Sequence, residues 1–433
     1  MQLTRGMRRQ SMKMTRRRER LPVDALIAGV DLAKRQSVVV FVRAGDRCRV
    51  GRLTITTDRA GVEHLVARAT ELRRQHDLGD LVVAMEPTSH FWKVVARSLD
   101  AGGVGYVLVQ SFVVATSREL DNLTRDKTDA RDAGLIADLA AELRFTETRL
   151  PAGAWAEMAL LAEARDDQRI QRGAALQEAR ALLELAWPGL LRACPDLAGT
   201  HLQALLRTGL TPQQVDSLPL GVLTERLRAD HSRRFLRWMA ARLHAAAHDV
   251  EAIPETPAAA LRWRLAAERI ALADAAIARL DDRLVELVGL TGYGWLDGQF
   301  KGLGPATLAS LLGLIGDLAR FDDARCLVKL AGANPTERSS GERSAPAGIH
   351  RRGRPALRFV AYQAAINLVR HEPAFRARFL ALTTRADRPL SAKAAYVAVA
   401  NKLLRTLWTM AVSGRSYDPA IARGEVRPTR IAA

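Results

Sequence analysis

The pattern of residues 24–109 constrains the fold of this chain more than any other feature. Residues 24–43, DALIAGVDLAKRQSVVVFVR, hold two apolar, β-branched runs joined by a short polar turn, and residues 50–56 alternate as a third strand would. After a helical segment, residues 81–86 form a continuous apolar run, which is typical of a strand buried on both faces. A second helical segment leads to a fifth strand at residues 104–109. This order predicts a mixed α/β sheet covered by helices.

Four acidic residues fall at one predicted edge of this sheet. Asp31 and Glu86 end the first and fourth strands, and the helix after the fifth strand begins with Asp129 and Asp132. Ligands of such sheets bind at the carboxyl ends of the strands. Carboxylates that lie close together repel each other, and Mg²⁺ is a cation that takes hard oxygen ligands. This spacing on this strand order resembles the RuvC-like branch of the ribonuclease-H-like fold, whose nucleases hold two Mg²⁺ ions on such carboxylates.

An isolated D-x-x-D is more often a solvated helix N-terminus, where the helix dipole favours acids. The strand context of Asp31 and Glu86 favours the metal site here. Lys127 and Arg131 lie beside the acids and could offset their repulsion or contact a phosphate.

The charge of the chain indicates a polyanionic partner. The formal net charge is +18 and the sequence pI is about 10.7, which favours nucleic acid. No apolar run approaches the roughly 18 residues that span a membrane. The three cysteines include no C-x-x-C pair, so we expect a reducing, cytoplasmic compartment and association with the nucleoid. Residues 1–22 predict a disordered basic tail, with a basic arm on nucleic acid as the open alternative.

Three further regions follow the predicted sheet domain, which we bound at residues 23–147. Residues 148–295 have apolar residues at three- and four-residue steps, which predicts a helical hairpin or short coiled coil that acts as a spacer and oligomerisation surface. Residues 296–420 are predicted to be mainly α-helical, and residues 421–433 to form a tail.

The segment FKGLGPATLASLLGLIGDLARF predicts a contact with a nucleic-acid backbone. Gly302 and Gly304 allow a tight turn before a helix, so that backbone N–H groups can face a phosphate beside Lys301. This is how a helix-hairpin-helix binds DNA without reading its sequence. The alternative is a simple helix cap.

A second chemical candidate is the loop that begins with Ser339, Ser340 and Gly341. A serine hydroxyl needs a base, a metal or a polarised phosphate before it can attack. Arginines can clamp a phosphate and absorb its developing charge, and this stretch is rich in them. The arginines predicted to bind nucleic acid are Arg338, Arg343, Arg351, Arg352 and Arg354. On composition alone, a flexible phosphate-binding loop is favoured over a nucleophile.

Taken in order, these motifs resemble the DEDD transposases of bacterial insertion sequences, the IS110 family, whose relatives include the pilin-gene invertases. The resemblance covers residues 24–145 and 296–420. Its motifs are VDLAK, AMEPTSHFW, RDKTDARDAGLIA, KGLGPATLASLLGLIGDLARF, LAGANPTERSSG, IHRRGRPALR and NKLL. One departure is His350, where the family usually has serine.

The resemblance implies an active site and a set of partners. Asp31, Glu86, Asp129 and Asp132 would bind metal, and Ser340 would be the nucleophile that becomes joined to DNA, with Ser339 as the alternative. In the family, the carboxylate domain of one protomer and the serine of another form a composite site within a synaptic tetramer. The resemblance therefore implies a homo-oligomer, from dimer to tetramer. A bridge RNA transcribed from the element pairs with donor and target DNA, so base pairing supplies the specificity.

Three functions therefore remain in view. The first is a Mg²⁺-dependent transposase or site-specific recombinase that forms a phosphoserine intermediate. The second is a metal-dependent junction-resolving nuclease, in which water attacks and the serine only binds phosphate. The third is a non-catalytic nucleic-acid scaffold, which is disfavoured because four converging acids would be costly without a cation.

Overall fold

The computed structural model describes residues 5–88, 90–122, 128–231, 237–336, 339–340, 343–344 and 348–420. The chain divides into two compact units, unit 1 at Met1–Leu150 and unit 2 at Pro151–Ala433. Among the described residues, no helix is both long and apolar enough to cross a membrane.

Unit 1 contains the five predicted strands, and its mixed sheet confirms the α/β fold. The strand order is β3-β2-β1-β4-β5; β2 is antiparallel to β1 and β3, whereas β4 is parallel to β1 and β5. The elements are α1 (Arg5–Arg20), β1 (Leu26–Asp31), β2 (Gln36–Arg43), β3 (Arg49–Thr56), α2 (Arg59–His76), β4 (Leu81–Met85), α3 (Phe91–Ala101), β5 (Gly105–Leu108), α4 (Ser111–Asn122) and α5 (Asp129–Ala141).

Alternation along the strands gives the sheet two apolar faces. Val30 and Met85 belong to the core that includes residues of α2 and α3. Ile27 and Ala84 belong to the core that includes α5. Both faces are covered because successive side chains of a strand point to opposite sides.

The helix α5 packs closely against β1 at Gly29. A Cβ atom at this position would lie 2.2 Å from the carbonyl oxygen of Ala133 and 2.7 Å from Cβ of Ala137. Only glycine therefore allows this helix to lie so near β1. The contact brings the first turn of α5 to the carboxyl end of β1.

The structure differs from the predicted disordered tail at residues 5–20, which form α1. The last turn of this helix contacts the rest of unit 1. Leu21 is fully buried, and the guanidinium of Arg17 donates a hydrogen bond of 2.6 Å to the carbonyl oxygen of Leu143. The same guanidinium lies 5.5 Å from the ring centre of Phe145. These tertiary contacts stabilise the helix and offset the repulsion between its positive side chains.

Unit 2 is almost entirely helical. Its elements are α6 (Ala154–Ala186), α7 (Leu190–Ala193), α8 (Thr200–Thr208), α9 (Pro212–Ser217), α10 (Leu220–His231), α11 (Arg237–Ala245), α12 (Thr256–Gly289), α13 (Pro305–Ile315), α14 (Arg325–Leu330), β6 (Ser339–Ser340), β7 (Arg343–Ser344), α15 (Pro355–His371), α16 (Pro373–Thr383) and α17 (Ala392–Ser413). Short 3₁₀ helices occur at Gly294–Leu296 and Leu318–Arg320.

Two long antiparallel helices, α6 and α12, run between two apolar cores of unit 2. One core surrounds Trp187 and Trp263, with the short helices α7 to α11 around it. The other joins Met158 and Leu284 to α13, α15 and α17. The predicted middle and C-terminal regions therefore share a core, because the start of α6 and the end of α12 pack against α13.

We predict that Gly29→Ala destabilises unit 1 by about 1–3 kcal/mol, the usual cost of overpacking. Hydrogen exchange of the β1 amides and calorimetry of the unit 1 transition would measure this. Gly173→Ala is the control, because a Cβ at this position in α6 meets no atom within 4 Å. Full exchange protection in Gly29→Ala would contradict the close packing.

Candidate functional site

The register of β1 and β4 brings Asp31 beside Glu86. These strands are parallel with Val30 opposite Met85, so the next residue of each chain segment lies side by side at the carboxyl edge. Neighbouring strands are about 4.8 Å apart, which sets the separation of the two backbones. Both acids are partly exposed. The backbones of Asp31 and Glu86 thus lie at the same edge of the sheet, the carboxyl ends of β1 and β4.

Asp129 and Asp132 occupy the first turn of α5. Thr128 is the N-cap of this helix, and its side chain accepts a hydrogen bond from the N–H of Arg131. Acids are favoured at this end because the helix dipole is positive there. Asp129 and Arg131 are exposed, whereas Asp132 is buried. Lys127 lies outside the described residues.

The guanidinium of Arg118 faces the buried carboxylate of Asp132. Nε of Arg118 donates a hydrogen bond of 2.8 Å to Oδ1 of Asp132, and the two side chains are 26% and 4% exposed. Burial strengthens the attraction between the charges because few waters screen them. The sequence does not single out Arg118, since no spacing marks it among the many arginines of the chain.

The acids share one edge without forming a closed ligand set. Within the described parts of the chain, no three Asp, Glu, His or Cys side chains come close enough to hold a metal ion together. The Asp31–Glu86 pair and the Asp129–Asp132 pair are nevertheless made of hard oxygen donors, which fit a cation such as Mg²⁺.

The candidate nucleophile lies on a β-hairpin of unit 2. Ser339 and Ser340 form β6, which pairs antiparallel with β7 so that Ser340 is opposite Arg343. Arg338 and Gly341, also predicted to bind nucleic acid, lie outside the described residues. We call residues 332–351 the serine hairpin.

The base of the serine hairpin is held by backbone hydrogen bonds. The N–H of Thr336 donates to the carbonyl of Gly348 at 2.9 Å, and the N–H of His350 donates to that of Asn334 at 3.0 Å. Nδ2 of the buried Asn401 donates to the carbonyl of Ala333 at 2.9 Å. Asn401 thus ties α17 to the hairpin base, a contact that the sequence did not reveal.

The arginines around the end of the serine hairpin and the C-terminal end of α13 fall into two groups. Arg351 and Arg352 are exposed, and Arg351 has a left-handed backbone with φ of 56°. Arg354 instead donates through Nη1 to the carbonyl of Leu314 at 2.6 Å, and Arg320 donates to the neighbouring carbonyl of Ile315. Burial, together with the nearby charge of Arg354, lowers the pKa of Arg320. This second group stabilises the C-terminal end of α13.

The predicted backbone-binding turn lies at the other end of α13. Lys301 is exposed, and Gly302 has φ of 91° and packs against Asn367. Gly304 is the N-cap, and a Cβ on it would meet no atom within 4 Å. Pro305 at the first helical position has no N–H to offer a phosphate. The short helix before the turn is 3₁₀, at Gly294–Leu296.

Comparison with known proteins gives the class and then the family. Residues 28–188 match a family model described as a transposase, of the DEDD type of IS110, and residues 298–380 match the transposase IS116/IS110/IS902 family. These two matches together cover more than half of the 433 residues. The α/β unit with its acidic edge is therefore that of a DNA transposase, an enzyme that cuts and joins DNA. The chain belongs to the IS110 family of insertion-sequence transposases.

Relatives along most of the chain agree with this assignment. The transposase proposed for the IS117 mini-circle of Streptomyces coelicolor is 28% identical over 348 residues, which cover 73% of this chain and 78% of that protein. An uncharacterized 42 kDa protein of the insertion element IS900 from Mycobacterium paratuberculosis is 27% identical over 410 residues, or 91% of this chain and 97% of the relative.

We predict that Arg118→Met lowers the free energy of unfolding of unit 1 by about 3–5 kcal/mol, because removing one partner of a buried ion pair leaves the other without this cation. Denaturant unfolding followed by circular dichroism would measure the change. Arg59→Met is the control, since Arg59 pairs with Glu63 on the exposed face of α2. That variant should change stability by less than about 1 kcal/mol. Equal effects of the two substitutions would contradict a special role for Arg118.

Proposed function

We propose that this transposase cuts and rejoins DNA through a covalent phosphoserine intermediate. Ser340 is the nucleophile, and the carboxylates of Asp31, Glu86, Asp129 and Asp132 form the metal-binding half of the active site. The observation that carries the proposal is the pairing of β1 with β4, which supports a common edge for Asp31, Glu86 and the start of α5.

The carboxylates would hold a divalent cation, and we propose Mg²⁺, which takes hard oxygen donors of this kind. When bound, such a cation supplies Lewis-acid stabilisation of the charge on a scissile phosphate. Arg118 offsets part of the negative charge at this edge through its contact with Asp132. Lys127 and Arg131 are proposed to contact the phosphate backbone near the start of α5.

The chemical step on the serine is a phosphoryl transfer. Oγ of Ser340 forms a bond to the scissile phosphorus, the bond to one strand oxygen breaks, and that oxygen leaves as a hydroxyl with the proton of the serine. Attack by a hydroxyl of the partner strand then restores a phosphodiester and frees Ser340. No net hydrolysis occurs, because each broken P–O bond is replaced by another.

The basic residues of unit 2 would position the DNA. Arginines bind phosphate through bidentate hydrogen bonds and absorb developing charge. The proposed contacts near the serine are Arg338, Gly341, Arg343, Arg351 and Arg352, whereas Arg354 is engaged with the carbonyl of Leu314. The turn at Lys301, Gly302 and Gly304 would contact a backbone without reading sequence.

The assembly is also a proposal. A dimer to tetramer would join the carboxylates of one protomer to the serine of another, on donor and target DNA selected by a bridge RNA. The metal-binding domain would be residues 23–147, the spacer residues 148–295 and the serine domain residues 296–420. The net charge of +18 supports a complex with several polyanions. The reaction would take place on the nucleoid in the cytoplasm.

We predict that Ser340→Ala abolishes covalent capture of DNA while leaving DNA binding nearly unchanged, because only the attacking oxygen is lost. Full-length protein is mixed with labelled donor and target duplexes, RNA from the flanking sequence and Mg²⁺, then denatured and separated on a gel. The labelled protein band should disappear in Ser340→Ala and persist in Ser339→Ala.

The reverse pattern would identify Ser339 as the nucleophile. Cleaved DNA with no protein adduct in the unaltered protein would instead establish the junction-resolving nuclease, in which water attacks.

We also predict that Asp129→Asn lowers adduct formation on the order of 100-fold, the loss typical of removing one electrostatic group from an active site. The same gel assay measures the initial rate. Asp46→Asn is the control, because Asp46 lies in the exposed turn after β2, at the end of the sheet away from the acids. Full activity of Asp129→Asn would remove Asp129 from the site.

A further inference from the structure

The helix α1 has a composition that is unfavourable for a helix alone in water. It contains eight Arg or Lys residues against the single acid Glu19, and no acid lies in its first turn. Like charges three and four residues apart repel each other, and cations in the first turn oppose the helix dipole. A bound polyanion would reverse both effects.

Three of the charges on described side chains share one face of the helix. Lys13, Arg16 and Arg20 follow each other at three- and four-residue steps, and the same spacing in the sequence continues back to Arg9 and Arg5. We call Lys13, Arg16 and Arg20 the basic stripe. At a rise of 1.5 Å per residue, neighbouring charges are about 5–6 Å apart and the stripe is about 10 Å long. A row of this length can contact neighbouring phosphates of a duplex.

The helix is fixed at its C-terminal end, so the stripe has a set direction relative to the sheet of unit 1. Arg17 lies beside the stripe and provides the anchor, through the carbonyl of Leu143 and the ring of Phe145. Lys13 and Arg16 remain exposed to solvent. Preorganisation of this kind reduces the entropy that binding would otherwise cost.

Duplex DNA fits this surface better than a lipid membrane does. The apolar side chains of α1 are three methionines, with no Trp, Phe or Leu to enter a bilayer. A major groove admits an α-helix, and contacts to phosphates need no particular sequence.

We propose that the basic stripe of α1 binds the phosphate backbone of duplex DNA, as a second contact apart from the reaction site. The inference depends only on the protein acting on DNA and not on the serine chemistry. It assigns a binding role to residues that lie before the region matched by the transposase models, which begins at residue 28.

The test is the salt dependence of DNA affinity for two charge-matched double variants of the full chain. Lys13→Gln/Arg16→Gln removes two charges from the stripe, and Arg8→Gln/Arg18→Gln removes two from outside it. The probe is a labelled duplex of about three helical turns and arbitrary sequence, titrated by fluorescence anisotropy at several salt concentrations. Unchanged far-UV circular dichroism confirms that helix content is equal.

The stripe variant should reduce the slope of log affinity against log salt by about 1.8, or about 0.9 for each lost phosphate contact, while the control leaves it nearly unchanged. Equal loss in both variants would overturn the proposal, since net charge alone would then explain binding. So would an unchanged slope in the stripe variant. A loss seen only with an RNA hairpin probe would overturn the assignment to DNA. Because the measurement is of binding, its failure would leave the adduct assay on Ser340 unaffected.

Discussion

The close contact between α5 and β1 at Gly29 is the constraint on which unit 1 depends. Any side chain at this position would collide with the backbone of Ala133, so the helix would have to move away from the sheet. With glycine, the first turn of α5 reaches the edge at which β1 and β4 end. The absence of a side chain at Gly29 therefore determines both the packing of the core and the position of Asp129 and Asp132.

The arginines of the two units have different partners. In unit 1, a buried carboxylate at Asp132 is balanced by Arg118, which lowers the cost of keeping negative charge at an edge suited to a cation. In unit 2, Arg354 and Arg320 donate to backbone carbonyls at the end of α13, whereas Arg351 and Arg352 remain exposed near the serine hairpin. Arginine-rich sequence thus serves both to hold the fold and to offer charge to a phosphate.

Several features of the fold could be predicted because they depend on local pattern. The five strands follow from β-branched runs, and Asp31 and Glu86 follow because each ends such a run. The two long helices α6 and α12 follow from their apolar periodicity. At residues 5–20 the structure has a helix where a disordered tail was predicted. The charge pattern disfavours a helix, but the anchor at Leu21 and Arg17 lies in tertiary contacts that local propensity does not contain. The metal-binding, serine and RNA roles remain predictions.

The sequence by itself determined the order of strands and helices, the family, and which acids and serines are candidates for chemistry, because alternation, periodicity and motif order are local properties of the chain. Only the tertiary structure decided which polar side chains stabilise the fold through long-range hydrogen bonds. Arg118 reaches Asp132 across 14 residues, Arg354 reaches Leu314 across 40, and Asn401 reaches Ala333 across 68. No local spacing encodes such contacts, since each forms only when packing brings a side chain to a distant partner.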